Sequence, residues 1–135
     1  MSAIYLAARY SRQKEMLDVA HRLCEMGHAV TSRWVLGDHL CNDEILLDNP
    51  EVGRRFATED IADIRRADTF VIFTDPIRTP TRGGKQVELG WAIAHGKRII
   101  RVGPPENVFQ TLISIDYVSN TDTLYTLLGN ALERR

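Results

Sequence analysis

The chain has 135 residues, 44% hydrophobic and 26% charged, and its 17 basic side chains nearly balance its 18 acidic ones, for a formal charge of -1. That length fits one domain with a real core and not two, so residues 1–135 are read as a single domain. The balance provides no global attraction to nucleic-acid polymers or acidic membranes, and no apolar run is long enough to span a bilayer.

In chain order, Ala3 to Ala7 reads as a strand. A short polar loop at Arg9 to Arg12 follows, then a helix to about Met26 that Gly27 stops. His28 to Arg33 reads as a second strand. Trp34 to Asn49 reads as a loop, with room for a short helix at Glu44 to Leu47. Asn49-Pro50-Glu51 is a helix start with a capping residue, proline at the first position and an acidic first turn, and that helix runs to Arg66. Ala67 to Phe73 reads as a buried strand, Pro76 to Thr81 as the loop leaving it, and the Gly83-Gly84 turn as the entry to a helix ending near His95. The pattern continues with a strand at Arg98 to Val102, a short helix at Glu106 to Leu112, an edge strand at Ile115 to Val118 and a terminal helix at Thr121 to Glu133. Alternating strands and helices predict an α/β fold: a flavodoxin-like or Rossmann-like three-layer sandwich on a mostly parallel five-stranded sheet.

Such sheets bind ligands at the carboxyl ends of their strands. Glu88 is expected there, in the first turn of its helix, where the helix N-terminus favours the ionised carboxylate that a nucleophile requires. The Rossmann glycine fingerprint and the P-loop are both absent, as are a nucleophile elbow and zinc-type His/Cys spacing. No metal or organic cofactor is therefore expected. What remains is a carboxylate pair, Asp60 and Glu88, with Tyr5 on the first strand. Two carboxylates are the usual apparatus for cleaving a glycosidic bond. Bland readings stand beside each: Glu88 as a dipole-complementing surface residue, Asp60 as one more charge on a solvated helix that also carries Glu59 and Asp63, and Tyr5 as a core tyrosine with a satisfied hydroxyl.

Three blocks, Ala3-Ile4-Tyr5-Leu6-Ala7-Ala8, Glu59-Asp60-Ile61 through Ala67-Asp68, and Val87-Glu88-Leu89-Gly90 with Ala92 and Gly96-Lys97, resemble the motifs of the nucleoside 2-deoxyribosyltransferase superfamily, which includes nucleotide N-glycosidases. The resemblance implies that Glu88 is the nucleophile forming a glycosyl-enzyme intermediate, that Asp60 assists at the base and sugar, and that Tyr5 hydrogen-bonds the nucleophile. It also implies a homodimer or larger homo-oligomer whose sites are completed by a neighbouring subunit. Where these enzymes commonly carry Asp or Ser six residues before the nucleophile, this chain has Arg82, and Ala8-Arg9 replaces their small, amide-presenting residues. Arg9, Ser11, Arg12 and Arg82 are positioned to meet a 5'-phosphate, which favours a nucleotide over a free nucleoside. Gly83 and Gly84 shape the turn beside it, and Tyr10 and Trp34 are candidates for stacking on a base.

Two other readings remain: a nucleotide-sensing module that kept the fold and lost the reaction, and a phosphoribohydrolase of the cytokinin-activating type, whose Pro-Gly-Gly signature Arg82-Gly83-Gly84 is similar to. Cys24 and Cys41 lack metal-type spacing in a chain without a signal-peptide pattern, so a reducing, cytoplasmic setting is expected.

Overall fold

The computed structural model describes residues 1–36 and 48–133. Five strands, β1 (Ala3–Ala7), β2 (Ala29–Val30), β3 (Thr69–Phe73), β4 (Arg98–Val102) and β5 (Ile115–Val118), form one sheet in the order β2-β1-β3-β4-β5, with every pairing parallel. The described helices are α1 (Gln13–Glu25), α2 (Pro50–Arg66), α3 (Gly84–Ala94) and α4 (Thr121–Glu133). α1 and α4 share one face of the sheet, where Arg22 lies over the Tyr125 ring and Gly129 lies near Met26. α2 and α3 share the other, where Arg65 lies over Trp91. This is the expected three-layer, flavodoxin-like arrangement, and its strand order reverses between β1 and β3.

The centre is apolar because β1 and β3 are covered on both faces. Every residue of β3 is buried, as are Ile4 to Ala7 of β1. A sheet sealed this way requires continuous apolar runs rather than alternation. The register pairs Tyr5 with Phe70, and their rings stack with centroids 5.6 Å apart.

Three expected elements differ. The second strand was expected over His28 to Arg33, but only Ala29–Val30 pairs. After Thr31, the Leu6 amide donates to the Ser32 hydroxyl at 3.2 Å, so a side chain takes the place of the next ladder acceptor. Residues 33–36 then wind into a 3-10 turn. The helix expected over Glu106 to Leu112 is a single 3-10 turn, Val108–Thr111, capped by the Asn107 side chain, which accepts from the Phe109 and Gln110 amides. Asn49 stands at the start of α2, where its carbonyl rather than its side chain accepts from the Val52 amide. The helix expected at Glu44 to Leu47 lies outside the described residues.

Two glycines set the upper edge of the sheet. Gly83 precedes α3 with φ of 91°, a left-handed conformation that glycine adopts at little cost. Gly103 follows β4 with φ of 109°, and a Cβ there would stand 2.3 Å from the Thr74 hydroxyl. The ends of β3 and β4 thus approach closely only because residue 103 has no side chain.

Candidate active site

The crevice between β1 and β3 contains the carboxyl pair. Tyr5 is fully buried at the middle of β1, and its hydroxyl donates to Glu88 Oε2. Glu88 does not lie in the first turn of its helix as expected: α3 begins at Gly84, which puts Glu88 in the second turn, inward over β1. The helix terminus acts within about one turn, so its support for an ionised carboxylate fades there. Burial then dominates. It pushes the Glu88 carboxyl up to about 8; the Tyr5 hydrogen bond pulls down and the Asp60 charge pushes up further. The sequence-based expectation of a dipole-stabilised carboxylate is therefore corrected: the resting group holds its proton near neutrality.

Asp60 sits on the inward side of α2, half-buried. Burial raises its carboxyl to about 7, the neighbouring Asp63 and Glu59 charges add to that, and Arg33 opposes it. Tyr5 is raised well above its ordinary value by burial and by the Glu88 and Asp60 charges, so its hydroxyl stays protonated and remains a donor. Tyr5, Glu88 and Asp60 therefore form one electrostatic unit. A carboxyl pair with raised, separated proton affinities can divide into a nucleophile and a proton donor.

One turn further along α2, Asp63 is also buried but is heavily bonded. It accepts from the Arg33 amide at 2.9 Å, from Arg33 Nε at 2.9 Å and from Arg66 at 2.6 Å. The sequence reading gave Asp63 no role of its own and so missed this clamp, which ties the exit of β2 to α2 and fixes the helix that carries Asp60.

The candidate substrate contacts are on two loops at the carboxyl edge. Ala8, Arg9 and Tyr10 are half-buried beyond β1 and Ser11 is exposed, while Arg82 is exposed beside Gly83 and Gly84 at the entry to α3. Arg12 turns inward instead. It donates to the Thr74 carbonyl at 3.1 Å, approaches Asp75 at 3.4 Å, pairs with Glu15 at 2.5 Å and stacks over the Phe73 ring. Trp34 is buried, its indole N–H donating to the Leu6 carbonyl at 2.8 Å, and the Tyr10 ring lies 6.3 Å from it. Trp34 thus forms the floor beneath Tyr10.

Sequence reasoning missed a second charged group. Lys85, in the first turn of α3, is buried and donates to the Phe73 carbonyl at 3.1 Å, Asp75 Oδ2 at 2.9 Å and Glu106 Oε2 at 2.8 Å. Burial pushes the Glu106 carboxyl up, but hydrogen bonds from Lys85, Gln110 and the Asp75 amide overcome it and leave the group below its ordinary value. One sequence signal was available. A lysine at a helix N-terminus opposes the helix dipole and calls for a local anion.

The fold is an all-parallel α/β sheet whose switch point carries the Tyr5–Glu88 hydrogen bond, with the Asp60 carboxyl acting on it electrostatically. Residues 4–121 match the family model "Nucleoside 2-deoxyribosyltransferase", and the chain belongs to that family, an N-glycosidase and transferase class of enzyme. Among solved structures it is similar to the 2-deoxyribosyltransferase of Bacillus psychrosaccharolyticus, with 22% identity, a TM-score of 0.68, and coverage of 90% of this chain and 89% of that one. It is also similar to the CMP N-glycosidase of Clostridium botulinum, with 21% identity, a TM-score of 0.60, and coverage of 93% and 97%. No curated protein matches it in sequence. Among the described residues no helix is long and apolar enough to cross a membrane.

Proposed function

We propose that this enzyme cleaves the N-glycosidic bond of a nucleoside 5'-monophosphate or nucleoside, preferably a 2'-deoxy one, through a glycosyl ester on Glu88. The observation that carries this reading is the Tyr5–Glu88 hydrogen bond, half-buried at the switch point beside Asp60. The step starts from the singly protonated pair with its proton shifted from Glu88 to Asp60: as the ionised Glu88 Oε attacks C1', the C1'–N bond breaks and its electron pair leaves with the base, which takes that proton from Asp60. Positive charge developing on the sugar holds Glu88 in its ionised form, since an adjacent opposite charge favours the carboxylate. Tyr5 keeps its proton and holds the attacking carboxylate in place. Water then opens the ester to give a hydrolase, or a second base opens it to give a transferase.

Arg9, Ser11 and Arg82 are the preferred phosphate ligands, with Gly83 and Gly84 leaving room beside them. Arg12 is assigned to bracing the rim, because its guanidinium already faces Thr74, Asp75 and Glu15. The active form is a homo-oligomer. Val87, Phe109 and Leu112 are exposed and line one apolar groove together with Ile93, a surface suited to a second copy. A reducing, cytoplasmic setting is part of this reading, with Cys24 an exposed thiol outside any disulfide among the described residues.

Chromatographic assay of ribo- and deoxyribonucleosides and their 5'-monophosphates, with and without a free acceptor base, tests this reading. Base released from monophosphates alone identifies a nucleotide hydrolase; exchange requiring an acceptor identifies a transferase. Binding without turnover across the panel would reject the reaction in favour of a sensing module. Sedimentation at micromolar concentration tests the assembly, and a monomer would remove the shared site.

A further inference from the structure

We propose that Lys85 is a positioning residue for Glu88, its buried ammonium pinning the first turn of α3 so that the carboxyl one turn later meets Tyr5. This rests on the reading of Glu88 as the reacting group. Lys85 and Glu88 are three residues apart, hence on one face of the helix and about 4.5 Å apart along its axis. All three ammonium protons are committed, to the last carbonyl of β3, to Asp75 beyond it and to Glu106 from the β4–β5 connection. Each of those partners is anchored in turn. Asp75 also takes Arg12, and its amide donates to Glu106. The other oxygen of Glu106 accepts from Gln86 and Gln110. Lys85 therefore joins three segments of the crevice rim at one atom.

A second observation comes from the helix start itself. Gly83 stands at the N-cap with no side chain to bond the first amides, so α3 lacks the usual fixation of its opening turn. Lys85 replaces it from inside. A buried cation at a helix N-terminus is opposed by desolvation and by the dipole, and an apolar side chain of similar volume is often as stable there. Geometry, rather than stability, is what the ammonium adds.

Two variants test this. Lys85→Met combined with Asp75→Asn and Glu106→Gln removes the ionic network without leaving a buried charge unpaired. Lys85→Arg keeps the charge balance and guards against loss of the fold, but its planar fork cannot reach the three convergent acceptors in the same way. The readouts are kcat and KM on the substrate found in the panel, and the carboxyl 13C titration of Glu88. The expected result is a kcat about 10- to 100-fold lower, with KM changed less than about threefold, because loss of alignment falls on the chemical step. The Glu88 titration midpoint should also move from about 8 toward the ordinary carboxyl range, as a looser α3 admits water. Unchanged kcat and unchanged titration in a folded variant would overturn the proposal. If the wild-type protein turns over nothing in the panel, the nucleophile reading fails by itself, and the Glu88 titration alone decides whether Lys85 sets its position.

Discussion

Two carboxyl groups sit one helical turn apart around α3 and have opposite fates. Glu106 meets a buried lysine and amide donors and is held below its ordinary value. Glu88 accepts from the Tyr5 hydroxyl, feels the Asp60 charge, and rises to about 8. α2 repeats the contrast, with Asp63 clamped by Arg33 and Arg66 and Asp60 raised to about 7. Burial alone therefore does not make a reactive acid. Glu106, which Lys85 bonds directly, stays low, and Asp63, which Arg33 and Arg66 bond directly, fixes its helix, while Glu88 and Asp60 rise.

Removing the raised carboxyl of Glu88 is the hardest test of that contrast. Glu88→Gln is expected to lower base release by at least about 1,000-fold while leaving the fold intact, measured by chromatography and circular dichroism. Retention of more than about a few per cent of activity would assign the nucleophile elsewhere. Asp60→Asn should cost about 100-fold on ordinary bases, as expected for loss of a general acid, and much less on a substrate whose leaving group needs no proton. An equal loss on both would show that Asp60 does not supply the proton.

Tyr5→Phe sharpens the comparison through pH. The working form requires Glu88 ionised and Asp60 protonated, which predicts a bell-shaped kcat/KM profile with apparent limbs near 7 and 8 that belong to the pair. Because the Tyr5 hydrogen bond lowers the Glu88 value, its loss should move the alkaline limb upward and reduce the maximum about tenfold. A profile of unchanged shape would separate Tyr5 from the titration of Glu88.

The smallest effect is on stability. Glu88 in the folded protein, at about 8, lies above its ordinary value of 4.5, so its contribution is fully present below 4.5 and is lost as pH rises through 8. Glu88→Gln should melt close to the wild-type temperature at pH 4, a few degrees above it at pH 6 and further above it at pH 9. A constant difference across that range would mean that Glu88 ionises without cost.

The sheet was legible because β1, β3 and β4 are short apolar runs between helices with clear stops, such as Gly27. β2 was read too long because sequence does not show that the strand lies at an edge, where Ser32 can substitute a side chain for the ladder. Tyr5, Asp60 and Glu88 were named through motif blocks, yet the state of Glu88 was misjudged. One turn of helix separates dipole support from desolvation, and spacing does not resolve it. Lys85 was given no role. A charged side chain near a turn reads as solvated until the fold brings Asp75 and Glu106 to it from 10 residues before and 21 residues after.

The Tyr5–Glu88 hydrogen bond joins residues 83 positions apart. A contact of that separation carries a large loop-closure cost and is made only after β1, β3 and α3 have docked. The nascent chain consequently has no half-built catalytic centre. Until residue 88 has been synthesised and packed, Tyr5 is simply another aromatic ring awaiting burial, so on the proposed mechanism turnover would report completed folding.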